Sequence, residues 1–61
     1  MTYTVQWTQY GLTEVADFAT EDDAREIYSE LVAAPETDHA WIFAGAKQNA
    51  PCIAEFMREV A

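Results

Sequence analysis

The stretch YTVQWTQY, residues 3–10, alternates side chain by side chain, and Gly11 follows it directly. Tyr3, Val5 and Trp7 share one face, while Thr4, Gln6 and Thr8 share the other, which is the period-two pattern of a half-buried strand. A second run, Leu12 to Phe18, returns from the glycine. A short loop at Tyr10 and Gly11 opposes Val5 with Ala16 and Tyr3 with Phe18, a register that buries Leu12, Ala16 and Phe18. A three-residue loop buries Val15 with Asp17 instead, and an unpartnered carboxylate makes that the costlier arrangement. The chain therefore begins with a hairpin.

Helix signals follow at once. Thr20 stands as N-cap, Asp23 is placed for the reciprocal capping role, and Glu21 and Asp22 fall in the electropositive first turn. Ala24, Ile27, Tyr28, Leu31 and Val32 recur at helical spacing and fill one arc. Asp22, Asp23, Glu26 and Glu30 project from the opposite side, with Asp22, Glu26 and Glu30 in one row stepping about 6 Å at a time. Pro35 ends the helix, and PETDH is a polar connection carrying Glu36 and Asp38.

AWIFAG then predicts a third strand that is apolar on both faces: Trp41 and Phe43 point one way, Ala40, Ile42 and Ala44 the other. Asn49 and Pro51 predict the start of a second helix, on which Ile53, Phe56, Met57 and Val60 form the buried stripe. The expected architecture is one α+β domain over residues 1–61, in the order ββαβα. Its three-stranded sheet carries both helices on one face, with strands two and three parallel. The other face, with Tyr10, Val15 and Trp41, stays open as a docking or dimer surface.

Length and charge narrow the function. With 61 residues, a chain buries only about 60% of the surface its unfolded form exposes, which leaves little volume for a substrate pocket. Eleven Asp and Glu stand against three Lys and Arg, a formal charge of −8. Proteins that hold nucleic acid neutralise phosphates with clustered cations, and no such cluster exists, so direct nucleic-acid binding is excluded. The aromatic residues Trp7, Trp41, Tyr3 and Phe43 lack the flanking Lys or Arg of a base-stacking platform. An acidic balance of this kind fits a basic partner, a salt-rich host or plain solubility. Arg25 is the one cation within reach of the helix acids, so like charges four residues apart repel with little relief. Glu14 and Asp17 on the hairpin, together with Glu21, Glu36, Asp38, Glu55 and Glu59, extend the same sign.

Other chemistry is sparse. Cys52, the single cysteine, excludes an internal disulfide and a cysteine-based zinc site and fits a reducing cytoplasm. Placed at the start of the last helix, it packs at the edge of the apolar stripe, although a helix dipole there favours a thiolate. His39 with scattered carboxylates makes neither a metal site nor a catalytic one. The sequence predicts neither a membrane span nor a signal peptide. No cofactor and no enzymatic activity are expected.

Two resemblances add to this reading. Phe18, Thr20 and Ala24, in the hairpin followed by DFATEDDAREIYSEL, resemble the arm-binding domain at the amino terminus of phage integrases. That family holds DNA with Arg- and Lys-rich strands; here the corresponding positions are Thr, Gln, Glu and Asp, so its DNA binding does not carry over. In size and charge alone, the chain resembles the small acidic anti-CRISPR inhibitors of phage, which present carboxylates where a nuclease complex expects phosphates. That resemblance implies a DNA mimic acting in the host cytoplasm on a basic nucleic-acid-binding protein, such as a CRISPR effector subunit. The acidic ridge supplies the expected partner-binding set for such a role: Asp22, Asp23, Glu26 and Glu30, with help from Glu14, Asp17 and Glu21. The alternative is an interaction module that homodimerises or docks through the open sheet face at Tyr10, Val15 and Trp41, its acids serving solubility alone.

Overall fold

A computed structural model describes residues 2–45 and 50–58. The element order is ββαββ: β1 (Tyr3–Gln9), β2 (Leu12–Phe18), α1 (Glu21–Ala33), β3 (Thr37–Phe43) and β4 (Cys52–Met57). The strands form one antiparallel sheet in the order β2-β1-β3-β4.

The hairpin register follows the alternation. Val5 faces Ala16, Tyr3 faces Phe18 and Gln9 faces Leu12, which leaves Tyr10 and Gly11 as a two-residue loop. Their φ angles of 52° and 77° are both left-handed, as a type I′ turn requires. Gly11 adopts that conformation at no steric cost, whereas Tyr10 does so against its Cβ.

Helix α1 starts as its capping residues direct. Thr20 is extended and its Oγ1 accepts from the Asp23 backbone N–H at 3.2 Å. Ala24 is fully buried and meets Val5 and Ile42, with Tyr3, Trp7, Phe18, Tyr28, Leu31 and Ala54 packed around them. The helix leaves β2 at its first turn and ends beside Arg58, which follows β4, so it crosses the sheet diagonally and rests mainly on β3 and β1. That diagonal overturns the expected burial of Leu12. It lies at the hairpin tip, where the helix no longer covers β2, and is 70% exposed.

The predicted second helix is not formed. Cys52–Met57 is β4, paired with β3 through Ala40 opposite Phe56 and Ile42 opposite Ala54. Ile53, Phe56 and Met57 repeat at helical spacing, but β3 has β1 on one side only, and its other row of backbone groups is satisfied by a fourth strand. The sheet is therefore four-stranded under one helix, in place of three strands under two. Cys52 consequently opens a strand and is exposed, neither at a helix start nor packed in a stripe. Asn49, Glu59 and Val60 lie outside the described residues. β2 and β3 do run parallel to one another, separated by β1.

β3 also begins earlier than AWIFAG suggests. Thr37, read as connection, is fully buried; its Oγ1 accepts from Gln9 Nε2 at 2.9 Å and its carbonyl from Arg58 Nε at 2.9 Å. Arg58 Nη2 donates to the Ala34 carbonyl at 3.0 Å. The last turn of α1 contains no basic residue, so this distant guanidinium supplies the cation that the helix C-terminus favours.

Substitutions at two positions test this packing. Tyr10→Asn relieves the left-handed strain and should raise stability to urea by up to about 1 kcal/mol. Arg58→Ala should lower it by about 1 kcal/mol, and Arg58→Lys, which cannot reach both carbonyls with a planar fork, should recover only part.

Candidate functional site

The outer face of α1 is set by its inner one. With Ala24 seated on the sheet, Asp22, Asp23, Glu26 and Glu30 are all exposed. Glu21 is half-buried, and its Oε2 accepts from Arg25 Nε at 2.6 Å across one turn. Arg25 is thereby engaged by Glu21, the first acidic residue of the helix, and no ion pair among the described residues involves the other four.

The hairpin acids divide between the two sheet faces. Glu14 lies opposite Trp7, on the side of the sheet that carries α1, and is exposed. Asp17 lies opposite Thr4, on the side turned away from the helix. The Thr4 hydroxyl shares its proton between Asp17 Oδ1 and the Gly45 carbonyl, each 3.0 Å away. Glu14 thus shares a side of the sheet with the helix acids, and Asp17 does not.

The face turned away from the helix holds a cluster that the sequence concealed. His39 and Trp41, two residues apart on β3, stack with ring centroids 3.5 Å apart. Glu55, opposite Trp41 on β4, accepts with its Oε2 from Trp41 Nε1 at 3.1 Å and from His39 Nε2 at 2.8 Å. A carboxylate only accepts, so that imidazole nitrogen carries the hydrogen. Val15, Gln6, Trp41 and Glu55 form one row across the four strands, and the Thr8 and Thr13 hydroxyls bond at 3.0 Å in the next. Of the expected docking residues, Val15 and Trp41 belong to this face, while Tyr10 stands at the hairpin tip, 81% exposed. Polar side chains on this face largely satisfy one another.

Among the described residues no group of His, Cys, Asp and Glu is disposed to hold a metal ion, and no helix is long and apolar enough to cross a membrane. Comparison with known protein families, with curated proteins and with solved structures finds no match to this chain.

Burial pushes the Tyr28 phenol above its ordinary value, Cys52 and Glu55 add to the rise, and Arg25 opposes it. The folded state therefore holds this proton more tightly than the unfolded chain. The associated stability is complete below pH 10.0 and is lost as pH rises through the folded value. Unfolding titrations should show stability falling above that pH, with a shallower fall in Tyr28→Phe.

Proposed function

We propose that the chain is a non-enzymatic binding protein that uses the outer face of α1 as an anionic stand-in for nucleic acid and blocks a Lys- and Arg-lined surface. A CRISPR effector subunit is one such surface. The observation that supports this reading is the set Asp22, Asp23, Glu26 and Glu30, all exposed on a helix held from its other side, with Arg25 bonded to Glu21.

Carboxylates on a docked helix keep their spacing before any encounter, so a partner does not have to order them. Their summed field attracts cationic surfaces and speeds association, and it weakens with salt because exposed charges are screened over about 8 Å at physiological ionic strength. Inhibition is competitive: the partner's cations face carboxylates where they would face phosphates. Glu14 and Glu21 border this surface, and Asp17 is better placed to hold Thr4.

A second reading, docking through the hairpin tip and open face, draws on the exposure of Tyr10 and of Val15, at 81% and 47%. The two readings divide on which substitution removes binding.

The test is capture of proteins from a bacterial lysate on the immobilised chain, with elution by salt or by duplex DNA. The expected result is capture of DNA-handling proteins that both eluents release, and its loss in a variant carrying Asp22→Asn, Asp23→Asn, Glu26→Gln and Glu30→Gln. Capture that survives those four substitutions, or that Tyr10→Ser alone abolishes, contradicts the acidic-face reading.

A further inference from the structure

β4 is an edge strand of the sheet and differs from the other edge in kind. β2 carries Glu14 and Asp17 along its length, charges that blunt a strand against unwanted pairing. β4 reads CIAEFM, with Met57 at 64% and Ile53 at 36% exposure. Its single charge, Glu55, is held by His39 and Trp41 on the same sheet. No described element covers its outer edge.

The backbone specifies what fits there. The Arg58 N–H donates inward to the Asp38 carbonyl at 2.9 Å, and Phe56 and Ala54, which face Ala40 and Ile42, share that inward phase. Glu55 and Met57, out of phase with them, turn their N–H and C=O groups outward. An outward row of this kind is completed by an extended strand.

We propose that this strand is β4 of a second copy, paired antiparallel about a two-fold axis normal to the sheet. Such an axis keeps the faces of the two sheets aligned, so residues of like phase must oppose one another. Centring on Glu55 sets two carboxylates opposite, which is repulsive. Centring on Ala54 sets Met57 opposite Pro51, which lacks the N–H to complete the bond. Centring on Phe56 brings two phenyl rings together on the helix side. It also lets Glu55 of each copy exchange backbone bonds with Met57 of the other.

Charge permits this pairing despite a formal charge of −8 on each chain. Because α1 rests over β1 and β3, the two helices stand about four strand spacings apart, roughly 19 Å. That exceeds twice the screening length of about 8 Å at physiological salt. Both acidic helices then lie on the same side of one continuous sheet.

Analytical ultracentrifugation of the full chain tests the proposal. The wild type should sediment as a dimer at tens of micromolar and associate no less tightly as salt is added, the reverse of the acidic-face interaction. Met57→Pro removes an outward N–H and leaves the bonds to β3 intact, so it should be monomeric with an unchanged far-ultraviolet spectrum. Met57→Glu sets a carboxylate opposite Glu55 of the other copy and should weaken association at least tenfold, whereas Met57→Lys should retain it. A monomeric wild type, a dimer that survives Met57→Pro, or equal association of the Glu and Lys variants overturns the proposal. Should Met57→Pro fail to fold, the Glu and Lys pair decides the matter.

Discussion

Ala24 on Val5 and Ile42 is the contact from which the rest of this structure follows. A side chain that ends at Cβ lets α1 approach the sheet closely, and the 100° step of the helix then fixes which residues face water. The core is small: besides these three, only Ala40 among the described apolar residues is fully buried. Polar contacts supplement it where apolar volume runs out. Thr37 is tied to Gln9, Thr4 to Asp17 and Gly45, and Arg58 to the end of the helix, so three chain segments distant in sequence are joined without any disulfide.

The same contact gives the molecule two unlike surfaces. On one side, α1 carries exposed carboxylates, and the helix's own arginine, Arg25, is engaged by Glu21. On the other, hydroxyls, an imidazole, an indole and two carboxylates bond one another across the strands. A surface whose polar groups are mutually satisfied has less to offer a charged partner than one whose groups are not. This contrast is the reason the proposed function rests on the helix.

The elements that were legible in the sequence are those defined by local chemistry. Alternation from Tyr3 to Thr8, the Tyr10–Gly11 turn and the Thr20 cap each act within a few residues, and the hairpin register and helix start follow from them. Strand β4 was not legible. Ile53, Phe56 and Met57 fit a helical stripe as well as they fit a strand, and the decision lies in β3, whose second edge needs a neighbour. Thr37 was hidden for the same reason: PETDH is polar, and what buries Thr37 comes from Gln9 and Arg58. The His39, Trp41 and Glu55 cluster was lost with β4, since Glu55 assigned to a helix cannot lie opposite Trp41. Alternation of Thr37, His39 and Trp41 was the available sign that the strand began before Ala40.

The account holds that the acidic row on α1 is kept at a cost to the fold. Glu26 and Glu30 carry that cost most plainly, because each follows a like charge at four-residue spacing and Glu30 lies in the turn where the helix dipole favours cations. The most direct measurement is urea unfolding of Glu26→Gln, Glu30→Gln beside the wild type at low and high salt. The account predicts that the variant is more stable by about 1 kcal/mol at low salt and that the gain fades as salt is added. Equal or lower stability of the variant at low salt would contradict it.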